Sequence, residues 1–241
     1  MSEEKKGKLF LITSDISEDT AEYVIPEGVK SIVFSIKIFF VENLKSARRF
    51  LKRIKYPVAF EEVQFFELSE HNEQDDNYLI SLLELIIQGQ DAGVLSEAGS
   101  PAVADPGKNL IRLAHSKQIK IVPLVGPSSI LLALMASGLN GQNFSFVGYL
   151  PKDQQERRKK IKELEQDSFR KNQTQLFIET PYRNQHLFDD LLSVCSPQTL
   201  LCIACEITSP GEFISTKQIS EWNNFRPDIQ KKPTVFLLLK R

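Results

Sequence analysis

The sequence predicts an α/β protein made of two small α/β domains, and three observations lead to this prediction. Short apolar runs alternate with helix-like stretches in the first half, a pattern typical of a mainly parallel sheet covered by helices. A second alternation begins after the apolar helix at 126–138. The 241 residues fit one large or two small domains. We therefore expect an N-terminal domain over 1–125, a C-terminal domain over 126–241 and a ligand cleft between them.

In the first half, the short apolar run at 8–13 predicts a buried strand. The longer apolar run at 31–41 leaves strand and helix both open. The segment at 43–56 predicts an amphipathic helix with one apolar face, formed by Leu44, Ala47, Leu51 and Ile54. The elements that follow are the helix DNYLISLLELIIQGQ, the strand AGVLSE, the helix PGKNLIRLAHSKQ, the strand IKIVPLV and the helix GPSSILLALMASGL.

The second half repeats the alternation with more charge on its helices. The predicted elements are the strand FSFVGYL, the helix DQQERRKKIKELEQ, the strand TQLFIET, the helix RNQHLFDDLLSVC and the strands TLLCIACEIT and TVFLLLKR.

Composition narrows the class of protein. Hydrophobic residues make up 41% and charged residues 25%, enough for a core, and the net charge of -1 argues against a uniformly basic protein. No apolar run approaches the roughly 20 residues of a membrane helix, and the start MSEEKKGK lacks the apolar segment of a signal peptide. Three cysteines do not make a disulfide framework. We therefore expect a cytoplasmic protein without a membrane partner.

Cys202 and Cys205 form a C-x-x-C spacing within an apolar strand. Side chains three residues apart on a strand point to opposite faces, so this pair cannot chelate a metal or close a disulfide. We expect no metal site.

The loop VLSEAGSPAVADPG at 94–107 combines backbone-permissive residues with two acids after a short strand. Gly99 allows close backbone approach to a ligand, and Pro106 leads into a helix whose free N–H groups point outward. Loops at the carboxyl ends of strands bind ligands in open α/β sheets. The alternative is an ordinary strand-to-helix turn with Asp105 as the helix N-cap. A second Gly-Pro loop, at 125–129, favours two walls of one pocket.

Two basic clusters raise the question of nucleic-acid binding. The helix at 43–56 contains no acid; its basic residues are Lys45, Arg48, Arg49, Lys52, Arg53 and Lys55. Unmixed positive charge on one helix of a nearly neutral protein favours phosphate binding over a merely solvated face. A second cluster, at 157–162, is diluted by Glu156, Glu163 and Glu165, which favours a solvated face there.

At the two loops the sequence resembles the tetrapyrrole methylase superfamily, and more closely its branch that methylates a cytidine ribose in small-subunit ribosomal RNA. The pattern S-D-A-G-T-P-x-I-S-D-P-G corresponds to 96–107, and P-G-P-S-A corresponds to 125–129. F-x-F-x-G-F-L-P corresponds to 144–151, F-Y-E-S-P-x-R to 177–183 and A-R-E-L-T-K to 204–209. The likeness runs across nearly the whole chain.

The resemblance implies S-adenosyl-L-methionine bound between the domains, largely by backbone groups. The matching positions are Glu97, Ala98, Gly99, Ser100, Ser128 and Ser129, and less closely Ile16, Ile178, Ala204 and Pro233. It also implies a homodimer and an RNA substrate.

A ribose hydroxyl is a poor nucleophile that benefits from a general base. The candidates are Glu212, Glu206, Glu179 and His71. We favour Glu212, because the preceding glycine lets the backbone turn it toward the cleft, whereas Glu206 ends an apolar strand and fits a structural acid equally well. His71 lies in a polar stretch typical of a solvated loop, and His115 and His186 lie in predicted helices.

The chain departs from the family in its first loop, where P-T-P-I-G-N is replaced by TSDISE at 13–18, and at Ser209, where the family has lysine. We expect a methyltransferase acting on a ribose 2′-hydroxyl of small-subunit ribosomal RNA. The alternatives are a tetrapyrrole-type small-molecule methylase and a cofactor-binding, RNA-associated protein without catalysis.

Overall fold

The computed structural model describes residues 6–18, 20–69 and 71–241. These form two compact units, which divide between Ser128 and Ser129.

The first unit alternates strands and helices, as predicted. Its elements are β1 (Lys8–Ile12), α1 (Ala21–Val24), α2 (Glu27–Val33), β2 (Ile38–Val41), α3 (Leu44–Arg53), β3 (Gln64–Glu67), α4 (Asp76–Ile87), β4 (Ala92–Leu95), α5 (Lys108–Ser116) and β5 (Lys120–Pro123). Short 3-10 turns lie at Phe60–Glu62 and Asn72–Gln74. The strand order is β3-β2-β4-β1-β5 and each pairing is parallel, which confirms the parallel sheet.

Both faces of this sheet are covered, because alternate strand residues point to opposite sides. Phe39 and Val41 pack with the buried residues of α1, α2 and α3, while Ile38 and Phe40 pack with those of α4 and α5. The strands after which the candidate loops begin are therefore held rigidly from both sides.

The apolar run at 31–41, which the sequence left open, contains both kinds of element: α2 ends at Val33 and β2 begins at Ile38. All four residues of β2 are buried because this strand lies between two others. The predicted apolar face of α3 was wrong at one position. Leu44 is 42% exposed, because it occupies the first helical turn beside the Asn43 cap.

The second unit contains a mixed sheet. Its elements are α6 (Ser129–Ser137), β6 (Phe144–Tyr149), α7 (Gln154–Lys171), β7 (Thr174–Ile178), a 3-10 turn at Pro181–Arg183, α8 (Asn184–Val194), β8 (Leu200–Cys205), β9 (Phe213–Gln218), α9 (Ile219–Trp222) and β10 (Thr234–Leu239). The strand order is β6-β7-β10-β8-β9; β6 and β7 run parallel and the other pairs antiparallel. The strand β9 and the helix α9 were not predicted.

The core of the second unit is aromatic and closely packed. Phe177 and Phe236 stack with ring centroids 6.0 Å apart, and the fully buried Trp222 donates its indole N–H to the carbonyl of Leu201 at 3.0 Å. The three cysteines are buried and free, and burial raises the pKa of Cys202 to about 11. The thiol of Cys202 is therefore neutral at physiological pH.

Among the described residues, no group of three or more His, Cys, Asp or Glu side chains is placed to hold a metal ion. No helix in the described part of the chain is long and apolar enough to span a membrane.

Candidate functional site

The loop between β4 and α5 is built around Gly99. Its φ of +75° is a conformation that side-chain-bearing residues rarely adopt, and its carbonyl accepts a hydrogen bond from the Ser14 N–H at 2.9 Å. A Cβ at Gly99 would lie 3.2 Å from Cγ2 of Ile16. The predicted cofactor residues Ile16 and Gly99 are thus brought together by the loops that follow β1 and β4.

The second glycine loop adjoins the first. A Cβ at Gly126 would lie 2.6 Å from the Cβ of Thr13, so this position accepts only glycine. A Cβ at Gly99 would lie 3.8 Å from the carbonyl oxygen of Pro127, the residue before Ser128. The two glycine loops therefore lie next to each other, and both pack against the loop that follows β1.

The loop between β4 and α5 has a strained backbone. Ala102 and Ala104 have φ values of 64° and 66°, and Gly107 has a φ of 128°. A non-glycine residue in the left-handed region costs about 1–2 kcal/mol, and such residues cluster at ligand sites because the surrounding structure holds them there. The alternative interpretation, an ordinary strand-to-helix turn, does not account for these backbone conformations.

The alternative interpretation, in which Asp105 caps α5, was wrong. The N-cap is Gly107, and the carboxylate that serves the helix start comes from Glu73 in the turn Asn72–Gln74. Its Oε1 accepts from the N–H of Gly107 at 2.7 Å and from that of Asn109 at 3.0 Å. These N–H groups, expected to be free for a ligand, are therefore occupied by a buried acid.

Asp105 instead belongs to a group of three acids. Its own burial and the Glu42 carboxylate, with a smaller contribution from Glu97, raise the pKa of Asp105 to about 7, and a hydrogen bond with Ser96 opposes this. Glu42 also accepts from the backbone N–H of Glu97 at 3.0 Å. Three carboxylates at one loop suit a positively charged ligand better than an anion.

A small pocket of about 120 Å³ opens beside this loop. Ile16, Glu97 and Ala98 line it, together with residues of α3 and the first loop. The buried Asp15 pairs there with Arg53 at 2.7 Å. The other carboxylate oxygen of Asp15 and the Nε of Arg53 are buried without a hydrogen-bond partner. This ion pair was not predicted from the sequence, although an acid in the segment TSDIS and an arginine in the last turn of a basic helix are both candidates for such a pair.

The basic residues of α3 fall into two groups, one residue in an ion pair and the others exposed to solvent. Arg53 is committed to Asp15, whereas Lys45, Arg48, Arg49 and Lys52 are exposed on α3. The guanidinium of Arg48 lies 5.4 Å from the ring centre of Phe65 and 5.7 Å from that of Phe60. These cation–π contacts hold Arg48 in place while leaving its charge at the surface.

In the second unit, three predicted cofactor residues meet where β10 begins. Val235 pairs directly with Ile178 on one side and with Ala204 on the other. The carbonyl of Pro233 accepts from the N–H of Glu206 at 2.9 Å. Ser129 lies at the start of α6, also in this unit.

The loop after β8 carries the predicted catalytic acids and is also strained. Glu206 and Thr208 have φ values of 50° and 71°, and a β-branched residue there is a genuine outlier. Oε2 of Glu212 accepts from the N–H of Thr208 at 2.8 Å. Glu206 pairs with Lys232 at 3.5 Å and is half-buried.

The other base candidates are less suited. The buried Glu179 accepts from the N–H of Thr180 at 2.6 Å and pairs with Arg183 at 2.5 Å, which fixes the turn after β7. His71, His115 and His186 are exposed.

Comparison with solved structures defines the fold. The methyltransferase CobJ superposes with a TM-score of 0.63 over 97% of this chain and 94% of that one, at 18% identity. The cobalt precorrin-4 methyltransferase CbiF gives 0.61 over 96% and 94%, at 12% identity. A uroporphyrin-III C-methyltransferase from Thermus thermophilus gives 0.58 over 98% and 95%, at 14% identity. The fold is that of the tetrapyrrole methylases, as predicted.

Sequence comparison defines the family. A relative from Pseudomonas aeruginosa named ribosomal RNA small subunit methyltransferase I is 30% identical over 222 residues, 91% of this chain and 73% of that protein. The Vibrio cholerae protein of the same name is 29% identical over 89% of this chain and 72% of its own length. The chain belongs to the ribosomal RNA small subunit methyltransferase I family.

Two further findings bound the comparison. The match to the Escherichia coli O157:H7 protein, at 32% identity, spans 66% of this chain and 53% of that relative. No protein-family model matches the chain.

Proposed function

We propose that the chain is an S-adenosyl-L-methionine-dependent methyltransferase that methylates a ribose 2′-hydroxyl in small-subunit ribosomal RNA. The observation that carries this proposal is family membership, through a relative of that name aligned with 91% of the chain. The two adjacent glycine loops support it, because ligands of open α/β sheets bind beyond the carboxyl ends of the strands, where these loops begin.

The cofactor, when bound, supplies an electrophilic methyl group on a positively charged sulfur. The residues proposed to hold it in the first unit are Ile16, Glu97, Ala98, Gly99, Ser100 and Ser128, and in the second Ser129, Ile178, Ala204 and Pro233. Two features of the first unit fit this ligand. Gly99 and Gly126 let the two loops pack closely against Ile16 and Thr13 of the loop after β1, and the acids around Asp105 match a cationic ligand.

Glu212 is the proposed general base for the acceptor hydroxyl. One of its oxygens accepts a hydrogen bond from the Thr208 N–H, and the other would take the proton of the acceptor hydroxyl when the bound cofactor supplies its methyl group. Glu206 has the supporting role, since its N–H and its carboxylate connect the loop to Pro233 and Lys232.

The exposed face of α3 is proposed to contact RNA phosphates through Lys45, Arg48, Arg49 and Lys52. Reversing Arg48 and Lys52 to glutamate should weaken RNA binding and flatten its salt dependence, while cofactor affinity stays unchanged, because neither side chain lines the pocket beside Glu97. Arg53→Leu serves as a contrast variant: because Arg53 pairs with Asp15, its replacement should affect the cofactor loop more than the salt dependence.

The deciding experiment incubates the chain with methyl-labelled cofactor and three acceptors: small-subunit ribosomal RNA, small RNAs and tetrapyrroles. The proposal predicts label on the ribosomal RNA alone, at a ribose. Label on a tetrapyrrole would favour the small-molecule alternative. Cofactor binding without transfer to any acceptor would favour the non-catalytic alternative, which the altered loop at 13–18 motivates.

Two finer points complete the proposal. The proposed ribosomal RNA substrate favours action in the cytoplasm, and the family resemblance favours a homodimer. Light scattering coupled to gel filtration tests the second point, and a mass equal to one chain would contradict it.

A further inference from the structure

The charged helix α7 carries a basic face on one side. Gln155, Arg158, Lys159 and Lys162 recur at helical spacing on one side of the helix. With Ser193 and Val194 at the end of α8 they line a surface pocket of about 410 Å³. None of the acids that the structure describes lines this pocket.

The acids that diluted this cluster in the sequence are engaged elsewhere. Glu165 is buried and accepts hydrogen bonds from Ser196 and Thr199. Glu163 lies 3.5 Å from Lys160, on the flank of the face. Glu156 lies in the first turn, where the helix dipole favours an acid.

The acids of the neighbouring helix are also engaged. Asp190 is buried between Arg157, at 2.6 Å, and Arg158, at 2.7 Å. Asp189 pairs with Arg226 at 2.6 Å. Lys159 and Lys162, by contrast, are exposed and form no ion pair with any residue that the structure describes.

We propose that this face, formed by Arg158, Lys159 and Lys162, binds the phosphodiester backbone of the RNA substrate. The inference rests on the proposed RNA methylation and adds a contact surface in the second unit. Buried Asp190 fixes the Arg158 guanidinium at the rim of the pocket, so little side-chain entropy is lost when it meets a phosphate. Lys159 and Lys162 carry exposed positive charges without an ion-pair partner among the described residues, which favours an anionic partner over a neutral or cationic one.

The size of the effect follows from counterion release. Each phosphate contact contributes about 0.7 (single strand) to 0.9 (duplex) to the slope of log K against log salt. The double variant Lys159→Ala/Lys162→Ala should therefore reduce that slope by about 1.5 and weaken binding on the order of tenfold or more at 0.1 M salt.

The matched control is Lys160→Ala/Lys171→Ala. It removes the same charge from the same helix, but these lysines pair with Glu163 at 3.5 Å and with Asp167 at 3.6 Å. The probe is full-length small-subunit ribosomal RNA in a filter-binding titration from 50 to 300 mM salt (roughly the range over which such slopes are linear). Thermal unfolding of each variant checks that the fold is intact.

A slope reduced in the double variant and unchanged in the control supports the inference. Equal slopes in the parent and the double variant would overturn it, as would an equal reduction in the control. If the parent chain methylates the RNA while the α7 slope is unchanged, the inference fails and the proposed function stands. If the parent transfers no methyl group yet binds RNA through α7, the proposed function fails and the inference stands. A parent that binds no RNA overturns both.

Discussion

The Glu73 carboxylate holds the end of the loop between β4 and α5, which is proposed to bind the cofactor, so replacing Glu73 tests the role of this loop. Glu73 is 8% exposed and accepts hydrogen bonds from the N–H groups of Gly107 and Asn109. The side chain of Asn109 returns a hydrogen bond to the Glu73 carbonyl at 3.2 Å. Glu73→Ala removes the acceptor for two donors at the start of α5, whereas Glu73→Gln keeps an acceptor oxygen and removes only the charge.

The magnitude follows from these contacts. Leaving a buried donor unsatisfied costs about 1–3 kcal/mol, and losing the charge at a helix N-terminus costs about 0.3–1 kcal/mol more. Because the Asn109 N–H is only partly buried, we expect Glu73→Ala to lower the free energy of unfolding of the first unit by about 2–4 kcal/mol. Glu73→Gln should cost about 1 kcal/mol.

Hydrogen exchange at the Gly107 and Asn109 amides is the assay, read beside thermal unfolding and cofactor titration. Exchange should accelerate strongly in the alanine variant and modestly in the glutamine variant, and cofactor affinity should fall in the same order. Glu67→Ala is the control, because Glu67 is exposed and its replacement by alanine removes the same charge. Identical effects of alanine and glutamine, or losses no larger than that of the control, would refute the reasoning.

Four further predictions test the rest of the site. Gly99→Val places a side chain against the first loop and should weaken cofactor binding at least tenfold (about 1.4 kcal/mol) by calorimetry; unchanged affinity would mean the pocket is elsewhere. The pKa of Asp105 is raised to about 7 in the folded chain from 3.8, so the folded state keeps a proton that the unfolded state has lost. Stability should then decline as pH rises from about 4 to about 7, and in urea titrations Asp105→Asn should remove that decline; a parallel decline in the variant would assign it to other groups. Glu212→Gln should slow single-turnover methylation by about 10² to 10⁴ with cofactor binding intact, and a parental rate would exclude it as the base. A double-mutant cycle of Asp15→Ala and Arg53→Ala should give a coupling of about 1–3 kcal/mol; additivity would mean the ion pair contributes nothing.

The elements that were predicted well are an amphipathic helix with a clear period and short apolar runs whose length fits a buried strand. The strands at Lys8–Ile12 and Ala92–Leu95 and the helix at Leu44–Arg53 fall where predicted. The segment at 31–41 could not be divided, because a continuous apolar run carries no period that separates helix from strand. The strand at Phe213–Gln218 was missed because its half-buried residues mix polar and apolar types.

The site was predictable in its backbone and not in its side-chain partners. Glycine and proline signal turn geometry locally, so the two loops could be placed from the sequence alone. Glu73 lies 34 residues from Gly107, and nothing in its own neighbourhood indicates that it caps a distant helix. Asp105, by contrast, has all the local features of an N-cap, and the left-handed Ala104 and Gly107 on either side of its proline turn the chain so that another acid takes that role.

The departures in the first loop can be understood in the same terms. The family resemblance places a proline at Asp15, where a fixed φ would restrain the loop after β1. In this chain the restraint comes from a buried ion pair with Arg53, which connects the loop to the last turn of α3. Breaking a buried pair by removing one partner typically costs several kcal/mol because a charge is left unpaired, although the partial exposure of Arg53 reduces that cost here. The loop after β1 is therefore still restrained in this chain, by a side chain of the helix proposed to bind RNA. The ion pair between Asp15 and Arg53 thus connects the proposed RNA-binding helix to a loop proposed to contact the cofactor.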